Sequence, residues 1–218
     1  MKYSIHILTT HKNKNRQGVI LDTWLKEKNN YIFYTDKNTG VGNQVEVDPD
    51  DTYHSNGKKN LAELLRVYHT EHYKNVDWML FCDDDTCVNL SKLEEMLPTL
   101  NQSKMYGSLL KGTWPPDTGL EYLSGGAGYL ISSKLIEDKG VPQLDYLIKS
   151  YYSDVCVGLW ARDNDIEMVD VKGFYSQDPS FYNLTDEDIK QSYTFHYMKT
   201  HKAVKDVLEK FYDKGNRL

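Results

Sequence analysis

Cysteine is scarce in this chain, and long apolar runs are absent from it. Three cysteines occur in 218 residues, and two of them sit inside apolar segments. An odd, sparse count forms no disulfide framework and favours a reducing compartment. No stretch approaches the roughly 20 apolar residues that a membrane-spanning helix needs, and no apolar signal-peptide core precedes the first predicted strand. We therefore expect a soluble protein.

The chain also lacks an excess of positive charge. Its formal net charge is -6 at pH 7, and its basic residues are scattered. Duplex binding depends on clustered Lys and Arg, so nucleic acid is not expected as the main partner. A content of 39% hydrophobic and 27% charged residues is that of a globular protein and argues against disorder. Without an internal break in its pattern, the chain is predicted to form a single domain over residues 1–218.

Predicted strands alternate with predicted helices along the chain. The strands are expected at residues 3–8, 31–34, 44–47, 78–82, 105–110, 129–132 and 167–169. Helices are expected at residues 18–25, 61–68, 91–98, from 133, at 154–160 and at 201–212, the third opened by a capping box at Ser91. Residues 48–51 and 111–119 are predicted loops. The alternation predicts an α/β fold, a mainly parallel sheet flanked by helices.

The most informative motif is an apolar strand, Trp78–Cys82, that runs into three consecutive aspartates, Asp83, Asp84 and Asp85. Three like charges leaving a core repel one another and lose hydration, so a positive partner is expected there. A hard cation such as Mn²⁺ or Mg²⁺ binds such oxygens and bridges to nucleotide phosphates. The alternative is an Asp-rich turn in water.

Two other strands end in polar residues, Thr9-Thr10 and Asp36. In a parallel α/β sheet, ligands bind at the carboxyl ends of strands, where these residues and the aspartates converge. Taken alone, Asp36 is better interpreted as a turn cap. The cluster Gly125-Gly126-Ala127-Gly128 has neither the G-x-G-x-x-G spacing nor the G-K-[ST] ending of phosphate-binding glycine loops, so a P-loop is rejected. Its glycines admit a close backbone approach to a ligand or simply a tight turn.

Three motifs in this order resemble the fringe and core 1 β1,3-galactosyltransferase family: WMLFCDDDTCVN at residues 78–89, YLSGGAGY at 122–129 and SDVCVG at 153–158. Weaker similarities at Arg16, Asp36 and residues 172–174 and 195–196 extend the resemblance to about three quarters of the chain. The resemblance implies a GT-A fold with a Rossmann-like nucleotide-sugar half and an acceptor half. It also implies an inverting, metal-dependent transfer from a UDP-sugar to a hydroxyl, usually as a β1,3 link.

The resemblance also implies roles for individual residues. Asp83 and Asp85 match the metal-binding DxD pair, with Asp84 supporting, and Asp154 matches the general base, although Asp154 is also a candidate helix N-cap. The fringe-type His after the Gly-x-Phe region is missing here, so His196, near the last strand, is the expected third metal ligand, the alternative being a structural histidine. The candidate donor-binding residues are Thr9, Arg16, Asp36, Lys58, Asp83, Asp84, Gly125 and Gly126.

The sequence leaves the roles of two further features open. Lys58 and Lys59 either approach the diphosphate or cap the following helix. Trp114, in a Pro-rich loop, either stacks on a sugar or anchors its own loop.

The expected enzyme is a Mn²⁺-dependent, galactosyltransferase-like β-1,3-glycosyltransferase that moves a hexose or N-acetylhexosamine to a glycan. Alternatives are a non-catalytic glycan- or nucleotide-binding protein with the same fold and a metal-dependent phosphotransferase. The expected location is the cytoplasm of a microbe or virus, or the Golgi lumen if the chain is a trimmed catalytic domain. Donor sugar, acceptor and oligomeric state are not readable from the sequence.

Overall fold

The computed structural model describes residues 1–47, 56–112, 119–148, 150 and 152–212. The predicted loop at 48–51 lies outside the described residues, as do residues 113–118 of the second predicted loop, including Trp114.

A central sheet of seven strands has the order β10-β6-β9-β4-β1-β2-β3. Its strands are β1 (Tyr3–Leu8), β2 (Tyr31–Thr35), β3 (Gln44–Glu46), β4 (Trp78–Asp83), β6 (Met105–Gly107), β9 (Tyr129–Ser132) and β10 (Met168–Asp170). Only β9 is antiparallel to its two neighbours. A three-stranded sheet contains β5 (Cys87–Val88), β11 (Phe174–Tyr175) and β12 (Thr194–Phe195), and a ribbon pairs β7 (Leu109–Lys111) with β8 (Glu121–Leu123).

Helices flank the central sheet. They are α1 (Lys14–Asp22), α2 (Asn56–His69), α3 (Leu90–Met96), α4 (Ser133–Lys139), α5 (Ser153–Asp163), α6 (Asp186–Lys190) and α7 (His201–Phe211). Short 3₁₀ helices occur at His11–Asn13, His72–Asn75, Leu97–Thr99, Leu144–Ile148 and Pro179–Tyr182. The predicted α/β fold with a mainly parallel, helix-flanked sheet is confirmed.

The central strand β4 is buried on both faces. Trp78, Leu80 and Cys82 pack into one core with residues of α1, α3 and α7. Met79 and Phe81 point the other way and pack with residues of α2, α4 and α5. Because alternate side chains enter different cores, the strand is apolar at every position from Trp78 to Cys82, as in a parallel sheet covered on both faces. The three cysteines are buried and unpaired in these cores.

Two predicted helix bounds and one predicted strand are wrong. The first helix ends at Asp22 rather than residue 25, because Trp24 and Leu25 leave the helix to become buried. The third begins at Leu90 and is capped by the Asn89 side chain, which accepts from the Lys92 N–H at 3.3 Å, so Ser91 is not the cap.

The single strand predicted at 105–110 is divided between two sheets. β6 belongs to the central sheet and β7 to the ribbon with β8. The Ser108 carbonyl accepts from the Ser124 N–H at 2.9 Å at this change of sheet. Within the described residues, no helix combines the length and apolar character needed to cross a bilayer.

Candidate active site

Three parallel strands bring their polar ends to one edge of the central sheet. Leu8, the last residue of β1, is level with Tyr34 of β2 and with Asp83 of β4. Thr9 therefore reaches the aspartates, and its hydroxyl donates to Asp84 Oδ2 at 2.6 Å. Asp36 instead holds the turn after β1, because it accepts from the His11 backbone N–H at 2.8 Å and also contacts the His11 ring.

Asp84 is buried and is held by Thr9 and Arg16. Arg16 Nη1 lies 2.8 Å from Asp84 Oδ1 and 3.6 Å from Asp85 Oδ2. Burial raises the pKa of Asp84, and the hydrogen bonds from Thr9 and Arg16 only partly oppose this. Asp84 thus fixes the turn after β4, and its carboxylate forms an ion pair with the guanidinium of Arg16.

Asp83, Asp85 and His196 form a cluster whose ligand atoms all lie within 4.8 Å of one another. His196 Nε2 is 3.1 Å from Asp85 Oδ1 and 3.9 Å from Asp83 Oδ2. Ligands bound at about 2.1 Å are about 3.0 Å apart at right angles and about 4.2 Å apart when opposite. The two distances from His196 Nε2 fall in this range, so the cluster has donor atoms suited to one divalent cation. Carboxylates suit Mg²⁺ and Mn²⁺ alike, but an imidazole ligand favours the transition metal.

A small sheet brings His196 to the aspartates. β12 pairs antiparallel with β5, which places Phe195 opposite Cys87, and the Met198 N–H donates to the Asp85 carbonyl at 2.8 Å. His196 Nδ1 lies 3.2 Å from the Ser176 carbonyl oxygen. With its proton on Nδ1, the ring presents Nε2 to the carboxylates as a metal ligand.

The three groups shift one another's pKa values. Burial alone would lower the pKa of His196, but its hydrogen bond to Asp85 and the charge of Asp83 raise it overall. Burial alone would raise the pKa of Asp85, yet the contact with His196 brings it below its ordinary value. Desolvation raises the pKa of Asp83, partly opposed by His196 and reinforced by Asp85. The cluster therefore retains a proton more readily than isolated carboxylates do, and a bound cation would displace that proton.

Gly126 is where the glycine loop contacts the metal cluster. A Cβ there would lie 2.1 Å from His196 Cε1 and 2.4 Å from its Nε2. Two threonine hydroxyls hold the loop: that of Thr86 donates to the Gly126 carbonyl at 2.7 Å, and that of Thr194 to the Ala127 carbonyl at 2.6 Å. The absence of a side chain at Gly126 thus makes room for the imidazole.

Replacing Gly126 with Ala is expected to weaken Mn²⁺ binding by about tenfold or more. The new methyl group displaces the His196 ring, which stacks on Tyr197 at 4.0 Å, and metal affinity is sensitive to ligand orientation. Titration calorimetry with Mn²⁺ measures the effect. Gly18→Ala is the control, because among the described residues no side chain beyond its chain neighbours and no backbone outside its own helix lies within 4 Å of the added Cβ. Equal Mn²⁺ affinity in Gly126→Ala and wild type would contradict this account of Gly126.

Asp154 lies in the first turn of α5, beside the glycine loop. Its Oδ2 accepts from the Gly125 N–H at 3.3 Å, and its Oδ1 from the Val155 N–H at 3.0 Å. Tyr152 occupies the N-cap position, so the N-cap alternative for Asp154 is wrong. Burial raises the pKa of Asp154 despite these backbone hydrogen bonds. Asp154 thus contacts Gly125 while His196 packs on Gly126, so the carboxylate and the metal cluster meet at two adjacent glycines.

The two adjacent lysines of α2 differ in their exposure to solvent. Lys58 is exposed, whereas Lys59 is completely buried.

Sequence reasoning missed Thr86, Thr194 and Ser176, which position the glycine loop and His196. Thr86 directly follows the aspartates, a position that signals proximity to the site. Thr194 and Ser176 lie in or beside two-residue strands, which are too short to show a periodicity.

The model of the family described as Fringe-like matches residues 3–215 of this chain. Among curated proteins, the beta-1,3-N-acetylglucosaminyltransferase manic fringe of Danio rerio is 25% identical over 155 residues, covering 61% of this chain and 42% of that protein. The chain thus spans less than half the length of this curated relative. Among solved structures, a glycosyltransferase involved in the glycosylation of the major capsid of PBCV-1 matches with a TM-score of 0.49 and 14% identity, over 94% of this chain and 98% of that chain.

Proposed function

Because the chain belongs to the Fringe-like family, as its motifs predicted, we propose that it transfers a sugar from a UDP-sugar donor to a hydroxyl group of a glycan acceptor. Family membership supports a transferase of sugars, and the curated relative carries a glycosyltransferase name. Beyond sugar transfer itself, we propose a UDP-sugar donor, inversion at the anomeric carbon, metal dependence and a β1,3 link.

One observation carries the proposal: a cluster with the donor atoms for a divalent cation and a carboxylate with a raised pKa contact two adjacent glycines. In-line displacement at a sugar carbon needs a base on one side and charge stabilisation of the leaving group on the other. Gly125 contacts Asp154, and the adjacent Gly126 contacts His196 of the cluster. A sugar above this backbone would have its acceptor face toward Asp154 and its diphosphate toward Asp83, Asp85 and His196.

Asp154 takes the proton of the acceptor hydroxyl as its oxygen attacks the anomeric carbon, and the UDP oxygen leaves from the opposite face. One base suffices, because a single displacement inverts the centre without a covalent intermediate; retention through such an intermediate would need a carboxylate nucleophile. The Gly125 N–H holds the Asp154 carboxylate toward the sugar. Asp83, Asp85 and His196 would hold Mn²⁺, which when bound supplies Lewis-acid stabilisation to the departing diphosphate.

Transfer is expected to fall at acid pH with a midpoint above the ordinary Asp range of about 3.9. Burial raises the pKa of Asp154, so the base stays protonated to higher pH, and activity rises as pH increases through that raised pKa. The measurement is kcat/KM against pH with Mn²⁺ kept saturating at each pH, which separates loss of the base from loss of the metal. A midpoint at or below the ordinary value would contradict the role of Asp154.

The donor sugar is open among galactose, N-acetylglucosamine and glucose, and N-acetylglucosamine is the sugar in the name of the curated relative. Incubation with a panel of UDP-sugars and Mn²⁺, with and without glycan acceptors, tests the proposal by UDP release. Acceptor-dependent UDP release is expected. UDP binding without turnover would identify a non-catalytic binding protein, and inorganic phosphate release a phosphotransferase; either result would overturn the proposal.

A further inference from the structure

Gln17 places a completely buried amide group in α1. The residue is 0% exposed, and its buried companion in the same helix is the apolar Ile20. A buried amide costs free energy unless its donors and acceptors find partners. The Gln17 amide has two donor and two acceptor positions, and each of the four makes a hydrogen bond. The partners of these four bonds show what the residue holds in place.

The amino group of Gln17 faces the end of β1. Its Nε2 atom donates to Thr9 Oγ1 at 3.1 Å and to the Thr10 carbonyl oxygen at 3.2 Å. Because a carbonyl oxygen can only accept, the amino group rather than the oxygen of the amide must point this way. The Thr9 hydroxyl therefore accepts from Gln17, and its single proton is directed to another acceptor.

That acceptor is Asp84. The Thr9 hydroxyl donates to Asp84 Oδ2 at 2.6 Å, whereas the Thr10 carbonyl oxygen lies 3.5 Å from the same hydroxyl. Arg16 holds the other oxygen, Asp84 Oδ1, at 2.8 Å. Arg16 and Gln17 are consecutive residues of α1. This helix therefore holds both oxygens of Asp84, one directly through Arg16 and one through Thr9.

The oxygen of the Gln17 amide faces the opposite way, toward β3. Gln17 Oε1 accepts from Gln44 Nε2 at 2.8 Å and from the Thr39 hydroxyl at 3.1 Å. The orientation of Gln44 is also fixed, because its Oε1 accepts from the Thr39 backbone N–H at 2.7 Å. A backbone donor and a backbone acceptor thus set the direction of these hydrogen bonds. A side chain with a donor and an acceptor at its tip is needed to meet both sides.

Asp84 is the middle residue of the turn that carries two members of the metal cluster. Asp83 precedes it and Asp85 follows it, and both belong to the cluster with His196. The turn is closed by the Thr86 N–H, which donates to the Asp83 carbonyl at 3.2 Å. Metal affinity is sensitive to the orientation of the ligands, and partners behind the ligands set that orientation. An anchored Asp84 therefore keeps the carboxylates on either side of it directed at the cation.

We propose that Gln17 is a positioning residue of the cation site. By donating to Thr9, it keeps the Thr9 hydroxyl on Asp84 and so holds the turn of Asp83 and Asp85 in the geometry that binds a divalent cation. This inference rests on the proposed function, because it assumes the metal dependence proposed there. Gln17 acts through Thr9 and is not itself a metal ligand.

The first test is titration calorimetry with Mn²⁺ on two matched glutamine variants. Gln17→Met is expected to weaken Mn²⁺ binding by about tenfold, the lower end of the range for lost outer-shell partners. Gln44→Met makes the same chemical change in the same network, but it leaves the contacts of Gln17 with Thr9 and Thr10 in place. Its Mn²⁺ affinity should stay within about twofold of wild type. Both variants lose buried hydrogen bonds, so a merely structural role would not separate their affinities.

The second test asks whether Gln17 acts through Thr9. Thr9→Val removes the hydroxyl that joins Gln17 to Asp84. In the Thr9→Val background, adding Gln17→Met should therefore weaken Mn²⁺ binding by less than about twofold, because the contact is already lost. Equal losses from Gln17→Met in the wild-type and Thr9→Val backgrounds would overturn the inference.

The outcomes also separate this inference from the proposed function. If wild type binds Mn²⁺ and Gln17→Met binds it equally well, or Gln44→Met loses as much affinity, the role of Gln17 is overturned and the proposed function stands. If wild type does not bind Mn²⁺, the proposed metal dependence fails and the role of Gln17 fails with it.

Should Gln17→Met not fold, Gln17→Glu decides. Glutamate keeps the oxygen that accepts from Gln44 and Thr39, but it replaces the donor to Thr9 with a second oxygen. Its added negative charge would by itself favour a cation. Weaker Mn²⁺ binding than in Gln44→Met therefore supports the inference, and binding equal to or tighter than that of wild type rejects it.

Discussion

Replacing Asp154 with Asn is expected to reduce sugar transfer by about 10²–10⁴-fold, the contribution typical of a positioned general base. Asn has the same shape and keeps an oxygen that accepts from the Gly125 or Val155 N–H groups. It cannot take the proton of an acceptor hydroxyl. The substitution therefore removes proton transfer while leaving the backbone of the site in place.

Binding measurements separate chemistry from structure in this variant. Calorimetry should find UDP and Mn²⁺ affinities of Asp154→Asn within a few fold of wild type, because Asp154 is not one of the three clustered groups. Asp206→Asn, at an exposed position of α7, should transfer sugar at the wild-type rate. Full turnover in Asp154→Asn would remove Asp154 from the mechanism.

Replacing His196 with Ala is expected to weaken Mn²⁺ binding by more than about 100-fold, since loss of an outer-shell partner alone costs about 10–100-fold. Only Asp83 and Asp85 would remain of the three clustered groups. The loss should be larger for Mn²⁺ than for Mg²⁺, because the oxygen ligands that Mg²⁺ prefers are retained. Transfer should fall with metal occupancy.

Titration calorimetry with each metal measures this effect, and His201→Ala, at an exposed residue of α7, is the control. His196→Ala also removes the ring that packs on Gly126, so its melting temperature must be measured alongside. Unchanged Mn²⁺ affinity in a folded His196→Ala protein would mean that the cation, if bound, lies elsewhere.

The alternating strands and helices of the chain were predictable, because side-chain periodicity reports which face of an element is buried. β4 illustrates this: five apolar residues followed by three aspartates specify a strand that ends at a polar edge. The order of parallel strands then places Thr9, Asp36 and the aspartates at that edge. Local elements that depend on one cap or on two-residue pairings, such as the start of α3 at Leu90, were not predictable.

The sequence by itself determined an α/β fold, the acidic strand end and the motifs of a family. Only the tertiary structure decided how these residues divide their roles: Asp84 turns to Arg16 and Thr9, Asp83 and Asp85 face His196, and Lys59 rather than Lys58 is buried. The physical reason is that periodicity encodes contacts within an element. The approach of His196 to Gly126 depends instead on the pairing of β12 with β5, strands that lie far apart in the chain.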